Sequence, residues 1–261
     1  MTKIALGIEY QGTAYCGWQR QRHCDSVQAR LEAALSQIAA QPIELFCAGR
    51  TDTGVHAIGQ VAHFDSSVER PLRAWLEGSN TLLPDDIRVV WARPMTKDFH
   101  ARFSAQARQY RYVIFNRAVR SAVLAGRVTW ERRSLDEVAM HRAAQLLVGE
   151  HDFSSFRAAE CQAAHARREI QSLSVTRRGE MVFIDIQANA FLHHMVRNIA
   201  GTLMQIGRGE QAADWAGTLL ALRDRTKATA TAPACGLYFV NAFYPEHFAV
   251  PRVSLSELVW Q

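Results

Sequence analysis

The sequence predicts an α+β protein built from two ferredoxin-like β-α-β-β-α-β halves, in a pseudo-twofold arrangement with a central cleft. Three observations predict it. Period-two alternation over residues 3–10, 60–65 and 87–93 is interrupted by helical stripes in the order strand, helix, strand, strand, helix, strand. The same order recurs after residue 106, and a polar, aromatic-dotted connection, Asp98-Phe-His-Ala-Arg-Phe-Ser-Ala105, lies between the two series. The expected division is an N-terminal half at 1–105 and a C-terminal half at 106–261 that completes the cleft.

The elements follow in chain order. Ile4, Leu6, Ile8 and Tyr10 share one face of a first strand, with Lys3, Ala5, Gly7 and Glu9 on the other. Asp25 and Gln28 have capping-box spacing ahead of a helical stripe of Val27, Leu31, Ala34, Leu35 and Ile38. A short run sets Ile43, Leu45 and Cys47 against Phe46 and Ala48, as in a strand, and a further strand is expected over 60–65. A helix opens near Pro71 with Leu72, Trp75 and Leu76 inward, and a strand at 87–93 ends the half.

The second half starts with a strand at 107–116, Tyr110, Tyr112 and Ile114 sharing a face. Ser134 and Glu137 predict a capped helix ending near Gly149. Strands at 168–177 and 181–188 are joined by a turn at Arg178-Gly179. Leu192, Val196, Ile199, Leu203 and Ile206 mark a helix that stops near Gly207; a helix at 212–222 and a strand at 237–244 close the chain. The loops 11–25, 49–59, 94–105, 117–133 and 150–167 are long enough to carry function.

With 48% hydrophobic and 21% charged residues, the composition excludes a disordered chain and allows a sizeable core. No apolar run approaches a membrane span, and the first residues carry Glu9 where a signal peptide stays apolar; a cytoplasmic protein is expected. Five cysteines with no C-x-x-C pair spell neither a disulfide framework nor a zinc site, so reduced thiols are expected. The net charge of +5 hints at a polyanionic partner, and the clustering of arginine in loops and strand ends favours phosphate recognition. Those clusters are Arg20 and Arg22 in the first loop, and Arg102, Arg108, Arg111, Arg117, Arg120, Arg167, Arg168, Arg177 and Arg178 later.

The chemistry centres on Cys47-Ala-Gly-Arg-Thr-Asp-Thr-Gly-Val-His-Ala57. Asp52 lies between Gly49 and Gly54 and two residues after Arg50, in a glycine-permitted loop following a strand. Such a carboxylate is either a structural clamp or a catalytic group. Asp52-Thr53-Gly54 also spells the D-T-G of aspartic proteases, but no second D-T-G exists and Gly-Arg-Thr precedes the Asp where those enzymes have apolar residues. Ten histidines invite a metal reading, above all His193-His194. On a helix, adjacent residues point about 100° apart and cannot chelate one ion together, so no metal is assigned. His56 and His63 flank strand-like segments, where a histidine is more often structural than catalytic.

Many spaced segments resemble one family, the bacterial tRNA pseudouridine synthases of the TruA type. They include Gly17-Trp-Gln-Arg-Gln21, Phe46-Cys-Ala-Gly-Arg-Thr-Asp52, Gly54-Val-His56, Asp98-Phe-His-Ala-Arg-Phe-Ser104, Tyr110-Arg-Tyr112, His193-His-Met-Val-Arg-Asn198 and Gly236-Leu-Tyr238, in family order over nearly the whole chain. The resemblance implies the pseudouridine synthase fold and isomerisation of uridine to pseudouridine at positions 38, 39 and 40 of the tRNA anticodon stem-loop, with base flipping and without cofactor or metal. It makes Asp52 the catalytic carboxylate, leaving open whether it attacks the uracil ring or the sugar. It makes Tyr110 and Arg197 its catalytic companions, Arg50 the displacer of the target base, and Leu237 an apolar neighbour of the uracil. Arg20 and His56, in matched stretches, are expected substrate contacts, and the family's homodimer is the expected assembly. Thr53 and Cys235 depart from the family's usual alanine and acidic residue.

Overall fold

The computed structural model describes residues 1–228 and 230–255. The chain divides into two compact units, one of Met1–Arg108 together with the segment from Phe239 onward, the other of Gln109–Tyr238. Among the described residues it is a mixed α+β protein of ten strands and five α-helices.

In the first unit β1 (Thr2–Tyr10) is followed by α1 (Val27–Ala39), the two-residue β2 (Phe46–Cys47) and β3 (His56–Ser66). A π-helical turn at Ala74–Gly78 runs into α2 (Ser79–Leu82), and β4 (Ile87–Met95) follows. β1 is antiparallel to both β3 and β4, with Leu6 opposite Ala62 on one side and Ala92 on the other. β1 is apolar along most of its length, with Ile4, Ala5, Leu6 and Ile8 all buried, so side chains on both of its faces are covered. β2 pairs with β3 through Phe46 and His63. The predicted β-α-β-β-α-β order is present, with two local differences. Leu72, expected inward, is 41% exposed just before the π-turn, while Trp75 within the turn is buried as expected. The cap of α1 is Ser26, whose hydroxyl accepts from the Ala29 N–H, since the Asp25 carboxylate is taken by Arg30 and the Ser26 N–H.

The second unit begins in β5 (Ala107–Asn116) and adds β6 (Thr129–Glu131), α3 (Glu137–Gln145), β7 (Gly149–Asp152), β8 (Arg167–Arg178), β9 (Met181–Ala188), α4 (Met195–Gly207) and α5 (Trp215–Leu222). Its strands run in the order β5-β9-β8-β7, with β6 parallel to β5. β6 and β7 fall in stretches read as loops from sequence, because three- and four-residue strands are too short to show a period. Asp136 rather than Ser134 caps α3, accepting from the Ala139 N–H at 2.9 Å. All of α4 is buried except Arg197 and Gln205. The chain then returns to the first unit within β10 (Leu237–Phe243), whose later residues neighbour β3; a Cβ at Gly59 would collide with the Val240 carbonyl there.

The cysteines also differ from expectation. Cys16 and Cys24 form a disulfide across eight residues, their Cα atoms 6.2 Å apart, while Cys47, Cys161 and Cys235 are free. The loop after β1 folds back on itself, a proximity that sequence spacing does not encode.

Ser26 is fully buried at the start of α1, so Ser26→Ala should lower stability by about 1 kcal/mol. A urea titration monitored by circular dichroism measures this as a fall in midpoint at constant slope.

Candidate active site

In the first unit, the Asp52 loop is fixed at both ends. Ala48 donates to the Val61 carbonyl at 2.8 Å, and the Ala48 carbonyl accepts from the Arg108 guanidinium at 3.2 and 3.3 Å. Gln60, fully buried in β3, donates to the Gly49 carbonyl at 2.7 Å. Thr51 pairs its hydroxyl with Tyr10 at 2.7 Å and offers its carbonyl to the Trp18 N–H at 3.0 Å. A turn closed by Val55 N–H on the Asp52 carbonyl, with Gly54 at φ +78°, then sends the chain into β3. Asp52 is left half-buried at the apex.

The loop after β1 supports this turn from behind. Gly17 has φ +88°, and a Cβ there would lie 2.5 Å from the Thr51 carbonyl oxygen and 2.9 Å from the Asp52 carbonyl carbon. At Gly12 a Cβ would fall on the Val55 carbonyl. Sequence reading passed over these two glycines; their signal was a glycine on either side of the tyrosine in Gly12-Thr-Ala-Tyr-Cys-Gly17. His56 is 2% exposed and its Nδ1 accepts from the Gly12 N–H at 3.0 Å, so it ties the same two segments together.

Arg50 is exposed, and no carboxylate among the described residues pairs with it. Arg20 differs: it forms a 3.0 Å ion pair with Glu32, a carboxylate only 5% exposed that also accepts from Gln28 and the Leu45 N–H. That arginine holds α1's buried charge, a structural duty that its sequence neighbourhood did not reveal.

In the second unit, Tyr110 on β5 is 8% exposed and meets Phe191 edge-on, ring centres 5.0 Å apart. Arg197 lies in the first turn of α4. Its Nε donates to the Ala232 carbonyl at 2.8 Å while its own carbonyl accepts from the Ala232 N–H at 3.1 Å. Asn198, buried beside it, donates to the Phe156 carbonyl and accepts from Arg225 and Thr231. These bonds pin the segment before β10 onto the start of α4. Leu237, 5% exposed, follows Gly236, where a Cβ would lie 2.5 Å from the Thr129 hydroxyl. Tyr112 holds that hydroxyl and the Pro233 carbonyl, and burial raises its phenol pKa.

The helical argument against His193 and His194 sharing an ion does not hold. Both precede α4, His194 has φ +60°, and their rings are 4.0 Å apart. A non-glycine residue in the left-handed region is a local strain, here at the entry to the helix that carries Arg197.

The chain is similar to known proteins over nearly its whole length. The family model described as tRNA pseudouridine synthase matches residues 7–104 and 143–245. The chain is 68% identical over 261 residues, the whole of both chains, to the tRNA pseudouridine synthase A of Hydrogenovibrio crunogenus. It is 56% identical over 256 residues to that of Shewanella piezotolerans, covering 98% of each chain. It is also 56% identical over 258 residues to that of Glaesserella parasuis, covering 99% of this chain and 98% of the other.

Gly17→Ala should cost about 1–3 kcal/mol, since it adds both a left-handed side chain and a collision with Thr51. Gly179 supplies the control, because at φ +57° it has nothing within 4 Å of a Cβ; Gly179→Ala should lose only the backbone part, about 1 kcal/mol. Denaturant midpoints compare the two, and equal losses would contradict the backbone contact at Gly17.

Proposed function

The chain belongs to the tRNA pseudouridine synthase family, and from that premise we propose that it isomerises uridine to pseudouridine at positions 38, 39 and 40 of the tRNA anticodon arm. The observation that carries this reading is identity of 68% to a tRNA pseudouridine synthase A across the full length of both chains. Such an enzyme is an isomerase: the bond from the ribose C1′ to uracil N1 breaks, the ring turns, and C1′ joins C5. The C5 proton leaves and N1 gains one, so nothing is added or lost.

Asp52 is the covalent group in this reading, attacking either the ring or the sugar. Its support is the geometry of its loop: fixed through Thr51, Gly49 and Val55, the turn holds the half-buried carboxylate at its apex. Tyr110 packs against the displaced base and takes part in proton transfer at C5; Phe191 fixes its ring. Arg197 acts as the basic partner of the reacting carboxylate, aimed by its Nε bond to Ala232. Arg50, exposed and without a carboxylate partner among the described residues, takes the place of the target base as it leaves the stack. Leu237 offers an apolar wall to the uracil. Arg20 and His56 act at one remove, Arg20 by neutralising Glu32 and His56 by tying Gly12 to the loop.

The reading extends to a cytoplasmic homodimer that needs no cofactor. Among the described residues no helix is long and apolar enough to cross a membrane.

Asp52→Asn should leave the circular dichroism spectrum and tRNA binding close to those of the parent. Release of tritium from C5 of labelled uridine in tRNA should fall by roughly four orders of magnitude or more, as for loss of a covalent nucleophile. Near-normal release would remove Asp52 from the chemistry, and a parent protein that binds tRNA without any release would be a binding protein.

Binding should also weaken about tenfold or more between roughly 50 and 200 mM salt, because each phosphate contact releases counterions. Filter binding at stepped salt measures the slope, and a flat response would contradict recognition through phosphates.

A further inference from the structure

The loop before β5 carries an aromatic surface that the isomerisation does not use. Phe103 is 74% exposed. A single exposed apolar side chain is ordinary, but this one stands at the end of a layered set. Its ring lies 4.3 Å from that of His100 at 33°, His100 meets His63 at 4.6 Å, and Phe46, 41% exposed, stacks on His63 at 5.3 Å. The Arg102 guanidinium lies 5.5 Å from the Phe103 ring centre.

The loop displaying Phe103 is fixed in advance. Phe99 and Ala101 are buried, Tyr244 donates to the Ala101 carbonyl at 2.6 Å, and Arg108 donates to the Arg102 carbonyl at 2.6 Å. The His100 Nδ1 accepts from the Arg102 and Phe103 N–H groups at 3.1 and 3.3 Å, while Ser104 bonds back to His100 through both backbone and hydroxyl. An apolar ring is therefore held out to water by a framework that has already paid its ordering entropy.

Charge says what would cover it. Arg102 has no carboxylate partner among the described residues, and neither does Arg50. Both charges bear on the Cys47 thiol, next to Phe46, where they partly oppose the burial that pushes it up to about 12. Burial and the neighbouring charges of Lys3, His100 and Arg102 lower the pKa values of His63 and His100, His63 to about 4, so the rings beneath Phe103 stay neutral and meet edge to face as uncharged aromatics. A flat apolar ring beside a guanidinium that no carboxylate among the described residues pairs with is complementary to an unpaired base with its phosphates; a protein partner would need a carboxylate to match Arg102.

We propose that Phe103, backed by His100 and flanked by Arg102, is a stacking platform for an unpaired nucleobase of the RNA substrate, separate from the uridine that reacts. This rests on the RNA reading above. The platform adds binding contact on the same unit that carries Asp52.

The experiment is filter binding of an unmodified tRNA transcript to the full chain, its Phe103→Ala variant and its Phe103→Trp variant. Photocrosslinking of 4-thiouridine-substituted tRNA to the parent protein accompanies it. Phe103→Ala should raise Kd about fivefold or more, Phe103→Trp should bind close to the parent, and the crosslinked peptide should contain Phe103. If the parent binds tRNA and both variants bind equally well, the platform is wrong while the RNA reading stands. If the parent does not bind tRNA, the RNA reading fails and the platform with it. A drop in molar mass by light scattering for Phe103→Ala would assign the patch to a second copy of the chain and overturn the nucleobase.

Discussion

Asp52 stays at the apex of its turn because the loop after β1 has no side chain at Gly12 or Gly17 and can lie directly on the carbonyls of Val55 and Thr51. Backbone meets backbone there, and two hydrogen bonds of 3.0 Å close the contact, the Trp18 N–H to the Thr51 carbonyl and the Gly12 N–H to the His56 ring. The Tyr10 hydroxyl completes the support from β1 itself. A turn braced from behind in this way sets where its carboxylate stands, and a fixed position is what a reacting group needs. The cost falls on residue choice, since each glycine in the contact is fixed by space or by φ.

The second unit solves a similar problem with side chains. Arg197 stands at the start of a helix whose remaining residues, apart from Gln205, are buried. Its Nε and carbonyl close a reciprocal pair with Ala232, and Asn198 collects Phe156, Arg225 and Thr231 around the same turn. Buried polar groups of this kind rigidify when every partner is present and are costly when one is missing. The segment leading to Leu237 is consequently set by α4 as much as by its own sequence.

Arginine is plentiful in this chain, but the structure divides it into different duties. Arg111 grips Asp185 at 2.7 and 2.9 Å, Arg177 binds Glu137 and the Leu135 carbonyl, and Arg167 binds Glu150. Arg108 satisfies backbone carbonyls and Arg20 neutralises buried Glu32. Among the described residues Arg50 and Arg102 have no such carboxylate, and they lie on the unit that carries Asp52 and Phe103. A count of cations therefore overstates the surface available to phosphate.

The sequence by itself determined the α+β class, the strands and helices long enough to show a period, and the glycine-framed Asp52 loop, because periodicity and glycine are local signals. It also carried the family resemblance, through motifs whose residues stand at fixed spacing. Only the tertiary structure decided that Ser26 and Asp136 cap their helices, that Cys16 meets Cys24, and that Leu72 turns outward. It likewise decided which arginines are already paired and that Phe103 is held out on a rigid loop. Each of these depends on atoms distant in the chain competing for one donor, one carboxylate or one volume, and that competition has no period for a sequence to display.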